Sequence, residues 1–100
     1  VLDATVWDVG DLSTTPNTPL LPRHLRLHDL SAGQDRKAAD AVTGRRLVLG
    51  NADVRLSYVV AGEPSPLYRN ALGDECVYVE SGTAVVETVF GALPARAGDY

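Results

Sequence analysis

A carboxylate at the start of a strand-like segment is the first feature of this sequence that could do chemistry. Glu75 opens the stretch 75–80, ECVYVE, and alternation along a strand places its side chain on the same face as Val77 and Val79. A carboxylate among apolar side chains is costly unless a partner neutralises it. Gly82 follows after six residues, where a tight turn would disfavour a Cβ atom. The spacing predicts an inward-facing glutamate at one strand end and a turn glycine at the other.

Arg69 is the first candidate to neutralise Glu75. Its planar guanidinium can donate hydrogen bonds to both carboxylate oxygens at once. We therefore predict a structural ion pair between Arg69 and Glu75. If the pair is buried, removal of one partner should cost about 3–5 kcal/mol. The alternative is that the carboxylate lies in water at a frayed strand end and needs no partner.

The glutamate–glycine spacing resembles the first motif of the cupin superfamily, whose members are small jelly-roll barrels. That motif is His-x-His, then Glu, six residues and Gly, and its two histidines and glutamate bind a metal inside the barrel. With three residues between the second histidine and the glutamate, the histidine positions are Arg69 and Ala71. With four residues, they are Tyr68 and Asn70. None of these is an imidazole, and one carboxylate is too few ligands for a transition metal, so we expect no metal here.

Other residues with reactive side chains are less suited to a metal site or to catalysis. His24 and His28 are four apart, which places both on one face of a helix or strand, but no third ligand lies nearby on that face. Cys76 is the sole cysteine, which excludes an intramolecular disulfide and suits a reducing compartment. With no histidine close in sequence to activate it, we interpret Cys76 as a packed, inert thiol. We therefore predict no catalytic or cofactor-binding residue in this chain.

Composition limits the classes of partner. The chain has 100 residues, enough for one small domain, with a net charge of −4 and a pI of about 4.9. A negative excess argues against nucleic acid and anionic membranes as partners. No run of 18 apolar residues occurs, and the start, VLDATVWDVG, lacks the basic region of a secretory signal. These features favour a cytoplasmic protein.

The elements that must position Glu75 are short strands. Period-two alternation predicts strands over residues 54–61, 75–80 and 83–90, and glycine-containing turns separate them. This spacing favours an antiparallel barrel or sandwich. The predicted fold class is all-β, an incomplete cupin jelly roll. We expect an irregular N-terminal arm over residues 1–46 and a partial barrel over 47–100 that lacks the second cupin motif.

Several short motifs follow one another in the second half of the chain. They comprise YRNA at 68–71 with Asp74 and Glu75, a Val-x-x-Gly turn at 79–82, Thr88, the run FGAL at 90–93, and Gly98–Asp99–Tyr100. Together they resemble the N-terminal half of homogentisate 1,2-dioxygenase over about residues 40–100. A turn signal directly before the last residue, and a start at valine rather than methionine, favour a piece of a longer protein.

The resemblance implies an enzyme that opens the ring of a small aromatic substrate with O₂, using non-haem Fe(II), in tyrosine and phenylalanine breakdown. In that family two histidines and a carboxylate of the C-terminal half hold the iron, so no iron ligand is carried onto this chain and Fe(II) is expected outside it. The family assembles as trimers or pairs of trimers, which implies a homo-oligomer. The alternative is a metal-free cupin module that binds a small ligand or another protein.

Overall fold

The computed structural model describes residues 25–27 and 39–100, and the fold is given for these residues. Their strands are β1 Ala39–Asp40, β2 Arg46–Gly50, β3 Arg55–Tyr58, β4 Ala61–Glu63, β5 Thr83–Thr88 and β6 Gly91–Arg96. Leu27 alone among the described residues has helical conformation. The predicted all-β class is therefore confirmed for the described part of the chain. The chain divides into two compact units, Val1–Pro66 and Leu67–Tyr100. The predicted boundary after residue 46 stays a prediction.

The first unit contains two small sheets. β1 pairs with β4 in parallel, and β2 pairs with β3 in antiparallel register from Arg46 opposite Tyr58 to Gly50 opposite Arg55. Asn51 makes the turn between β2 and β3, because its Oδ1 accepts hydrogen bonds from the backbone N–H groups of Asp53 and Val54, both at 2.8 Å. The single strand predicted over 54–61 is thus divided into β3 and β4.

A tight turn joins β1 to β2. The Asp40 carboxylate accepts hydrogen bonds from the backbone N–H groups of Val42, at 2.7 Å, and Thr43, at 2.8 Å, and from the Thr43 hydroxyl. The backbone N–H of Gly44 donates to the Asp40 carbonyl at 3.2 Å. A Cβ atom on Gly44 would lie 2.6 Å from the Ala39 Cβ and 2.8 Å from that carbonyl oxygen. Only glycine fits this approach without a shift of the backbone.

The second unit contains the β5–β6 hairpin. Its antiparallel register runs from Thr83 opposite Arg96 to Thr88 opposite Gly91. Thr88 stabilises the two-residue turn, since its Oγ1 accepts from the Phe90 N–H and donates to the Gly91 carbonyl, both at 3.0 Å. Gly91 has a φ of 124°, which side chains disfavour. The strand predicted over 83–90 therefore ends at Thr88.

The predicted strand over 75–80 forms no ladder with another described strand. Its one pairing site is Val79, whose carbonyl accepts from the Gly98 N–H at 2.8 Å and whose N–H donates to the Asp99 carbonyl at 2.9 Å. Two residues thus face one, and Gly98 has a φ of 94°, an arrangement typical of a glycine bulge. A ladder needs consecutive pairs, and the described residues provide this single one.

No side chain of the described residues is buried. On one face of the hairpin Val86 lies beside Leu93, and both stay about half exposed, while Val89 and Phe90 at the turn are 94% and 96% exposed. A hairpin of two strands buries too little apolar surface to form a core of its own. The apolar faces of the described strands are therefore exposed and not packed into a core.

Within the described residues, no helix has the length and apolar character that a membrane-crossing segment requires.

Candidate functional site

The turn at Asn70 shapes the segment that holds Glu75. The Asn70 Oδ1 accepts hydrogen bonds from the backbone N–H groups of Leu72, at 2.8 Å, and Gly73, at 3.2 Å. Asparagine favours such turns because its short side chain reaches the backbone two and three residues on. The turn reverses the chain between residues 70 and 73. It brings Glu75 back towards the residues that precede the turn.

Glu75 accepts hydrogen bonds on both carboxylate oxygens. The Asn70 Nδ2 donates to Oε1 at 2.9 Å, and the Tyr68 hydroxyl donates to Oε2. Asn70 therefore uses both ends of its amide, one on the backbone and one on the carboxylate. We call Tyr68, Asn70 and Glu75 the carboxylate cluster. It lies entirely within the second unit.

The two donors just described, Tyr68 and Asn70, are neutral side chains. Tyr68 and Asn70 are two apart, which places both on one side of an extended chain, and Arg69 lies between them. A hydrogen bond to an ionised carboxylate is stronger than one between neutral groups, so neutral donors can stabilise the charge without a cation. The predicted ion pair of Arg69 with Glu75 stays a prediction.

Sequence reasoning placed Tyr68 and Asn70 at possible metal-ligand positions but missed their role as donors to Glu75. The signal was present in the spacing, because residues that alternate along an extended segment share a side and both types carry a donor. The turn at Asn70 was the missing part. In a chain that stayed extended, the side chains of residues 68 and 75 would lie too far apart for a hydrogen bond.

The carboxylate cluster does not fit a transition metal. The Asn70 Oδ1 already accepts two backbone hydrogen bonds, and its Nδ2 has no lone pair to offer. A single carboxylate with a neutral tyrosine differs from the two imidazoles and one carboxylate that non-haem Fe(II) takes. Across residues 25–27 and 39–100, no group of three or more His, Cys, Asp or Glu side chains is placed to hold a metal ion.

The remaining candidate residues fall into three cases. Cys76 is exposed, so the prediction of a packed thiol is wrong, and the reason is that no described side chain of this unit is buried. Gly82 has a φ of 81°, in the left-handed region, and lies at the turn before β5. His24 and His28 lie outside the described residues.

The sequence of this chain is similar to that of a Saccharolobus solfataricus protein whose name assigns it provisionally to the dioxygenases. The two are 36% identical over 77 residues, a stretch that covers 75% of this chain and 20% of that relative. The chain therefore spans about a fifth of the relative's length. No protein-family model matches the chain, and no solved structure matches it at a significant level. The similarity supports a relationship to dioxygenase-like proteins.

Proposed function

We propose that this chain is the N-terminal, iron-free structural part of a ring-cleaving dioxygenase similar to homogentisate 1,2-dioxygenase. The carboxylate cluster is the observation that carries the proposal. Tyr68 and Asn70 donate to the two oxygens of Glu75. With four residues between the second histidine and the glutamate, they also stand where a metal-binding cupin would have its histidines, and with three residues Arg69 and Ala71 do; none of the four is a histidine. The similarity to a dioxygenase-like relative and the motifs at 68–71 and 90–93 support the same conclusion.

The proposed activity belongs to the longer enzyme. Its substrates are a small aromatic compound and O₂, and Fe(II) is held by two histidines and a carboxylate outside this chain. The proposal includes a place in tyrosine and phenylalanine breakdown, a cytoplasmic location, and assembly as a trimer or a pair of trimers. Neither nucleic acid nor a membrane is a partner, in keeping with the net charge of −4.

The role of this part is structural. The β5–β6 hairpin presents Val86 and Leu93 on one face and Val89 and Phe90 at its turn, all exposed. Apolar surface of this kind is stabilised when another segment or subunit covers it. We propose that it contributes packing to the barrel and to contacts between subunits. The carboxylate cluster holds the loop of the same unit without using a metal.

The test uses a full-length protein that contains this chain. Incubated with Fe(II), O₂ and homogentisate, it should consume O₂ and produce the ring-opened product in equal amounts. Glu75→Gln should keep the iron content of the wild type, because the carboxylate is not a ligand. The chain of 100 residues by itself should show neither activity nor retained iron.

Two results would contradict the proposal. Loss of one equivalent of iron in Glu75→Gln would make the carboxylate an iron ligand. Tight binding of a small molecule without O₂ consumption would instead support a metal-free cupin module. If the full-length protein cleaves a different aromatic compound, the assignment to the dioxygenases stands and the proposed substrate, homogentisate, is wrong.

A further inference from the structure

The β5–β6 hairpin has two outer edges, and alternation along the strands decides which backbone groups each edge exposes. In an antiparallel pair, residues that exchange hydrogen bonds alternate with residues whose N–H and C=O groups are directed away from the partner strand. Thr88 and Gly91 close the two-residue turn as a hydrogen-bonded pair, so Val85 and Pro94, three pairs further on, are not hydrogen-bonded to each other. The outward-directed residues are Ala92, Pro94 and Arg96 on β6 and Thr83, Val85 and Glu87 on β5.

The outer edge of β6 is protected against an added strand. Pro94 has no N–H to offer there. The Arg96 N–H donates to the Asp99 Oδ2 at 2.9 Å, and the Arg96 carbonyl accepts from the Asp99 N–H at 3.0 Å. One outward donor is therefore missing and the next is already used. Features of this kind are typical of strand edges that do not pair with another chain.

The outer edge of β5 has no such protection. Within the described part of the chain, β5 and β6 form a sheet of two strands, so no other described strand pairs with this edge. All six residues of β5 are exposed, and none of them is a proline. A row of exposed N–H and C=O groups without a blocking residue is suited to the addition of a strand.

We propose that the outer edge of β5 binds β5 of a second copy of this chain, in antiparallel orientation and with Val85 at the two-fold axis. Val85 then lies opposite the second copy's Val85, and Thr83 lies opposite its Glu87. These are outward-directed residues, so each pair exchanges backbone hydrogen bonds. The inference rests on the structural role proposed above for the hairpin, and it does not require ring cleavage.

The side chains of β5 favour this occupant and this register. Glu87 is the one charged residue of β5, and parallel pairing in register would place it beside the second copy's Glu87, which destabilises a sheet. In the antiparallel register the two carboxylates are four residues apart along the strands, about 13 Å, and each lies beside a threonine. Ala84 lies opposite the second copy's Val86, so the centre of the contact is apolar. The strand is thus complementary to itself, as a two-fold contact requires.

Disulfide trapping in a full-length protein that contains this chain tests the contact. All variants carry Cys76→Ser, which removes the exposed native thiol of this chain. Val85→Cys places thiols on directly opposite residues, whose Cα atoms lie about 5.5 Å apart in a hydrogen-bonded pair, a separation that a disulfide spans. Mild oxidation should therefore double the apparent mass on a non-reducing denaturing gel. Glu87→Cys is the matched control on the same edge, because its two copies are about 13 Å apart and should not be joined.

A second measurement does not depend on oxidation. Val85→Lys places two ammonium groups opposite each other at the two-fold axis, where like charges oppose pairing. The sedimentation coefficient should fall below that of the wild type at the same concentration. Val85 is already 65% exposed, so the fold should tolerate the lysine. Ala92→Lys is the matched control, because it adds the same charge to exposed β6 and should leave the assembly unchanged.

Three results would overturn the proposal. Oxidised Val85→Cys that stays a single chain would show that these residues do not lie opposite each other. Equal cross-linking of Val85→Cys and Glu87→Cys would indicate a parallel or non-specific contact. An unchanged sedimentation coefficient in Val85→Lys would show that β5 does not hold the copies together. Failure of the full-length protein to cleave homogentisate would contradict the proposed enzyme and leave each of these measurements unaffected.

Discussion

Glu75 shows that neutral side chains can donate hydrogen bonds to a carboxylate whose most obvious partner in the sequence is a cation. Arg69 lies between Tyr68 and Asn70, and alternation along an extended chain places its side chain on the side opposite to theirs. Proximity in sequence suggested Arg69 as a partner of Glu75. The hydrogen bonds described come from Tyr68 and Asn70. When a neutral side chain donates to a carboxylate, the new hydrogen bond replaces one that the carboxylate would otherwise make to water. The net stabilisation is therefore modest at a site that stays exposed.

Tyr68→Phe removes the hydroxyl donor and keeps the ring. We expect a loss of about 0.5–1.5 kcal/mol in the free energy of unfolding, measured by urea titration. Combined with Glu75→Gln in a double-mutant cycle, the two changes should be coupled, because both act on one hydrogen bond. Arg69→Met should cost well under 1 kcal/mol if neutral donors hold the carboxylate. A loss of about 3–5 kcal/mol would instead support the buried ion pair.

Asp40 gives a prediction about pH. The hydrogen bond from the Thr43 side chain, helped by the backbone N–H groups of Thr43 and Val42, lowers the pKa of Asp40 below its ordinary value of 3.8. A carboxylate with a lowered pKa stabilises the fold fully above the ordinary value, and this contribution is lost as pH falls through the lower folded value.

Acid titration of unfolding therefore compares Asp40→Asn with the wild type. The stability difference should be present at neutral pH and vanish in strong acid, below the folded pKa of Asp40. Asp53→Asn, at an exposed turn position, is the control. A difference that stays constant across the titration would contradict the prediction.

At the scale of elements, short turns decide where strands begin and end. Thr88 and Gly91 close the hairpin two residues earlier than the apolar pattern predicts. Val79 pairs with a bulge at Gly98 and Asp99 instead of a ladder. Period-two patterns identify residues able to form strands, but a strand exists only where a second segment supplies its hydrogen bonds. The class of element was therefore predictable, but neither the boundaries of the strands nor the absence of a strand over 75–80 was.

Gly82→Ala tests the turn before β5. The φ of 81° is unfavourable for alanine, while no atom lies within 4 Å of the added Cβ. The cost should come from the backbone alone and amount to about 1–2 kcal/mol in the free energy of unfolding. Gly73→Ala is the matched control, because Gly73 also has open space and is not among the positive-φ glycines. Equal losses in both variants would show that the conformation at Gly82 is not the cause.

At the scale of the whole molecule, the described residues expose their apolar side chains. The chain matches about a fifth of the length of a larger dioxygenase-like relative. Within the described residues, no side chain is buried, so these residues form no hydrophobic core. Apolar surface exposed in this way is stabilised when other polypeptide covers it.

The 100-residue chain should therefore bind a hydrophobic dye and associate with itself as its concentration rises. Phe90→Ser, at a position 96% exposed, should reduce both without lowering the free energy of unfolding. Thr83→Ser is a control for a mild change in the same hairpin. Dye fluorescence and sedimentation velocity provide the measurements. A monomer that binds no dye would contradict the prediction.

The sequence by itself determined the all-β class and the residues suited to turns, because side-chain alternation and the conformational preferences of glycine and asparagine are local properties. It also drew attention to Glu75 through the expectation of an inward-facing carboxylate, whereas the structure has Glu75 exposed. Only the tertiary structure decided which donors reach that carboxylate and where each strand ends. Those outcomes depend on chain reversal at Asn70 and on pairing between separated segments, and neither is contained in the local pattern.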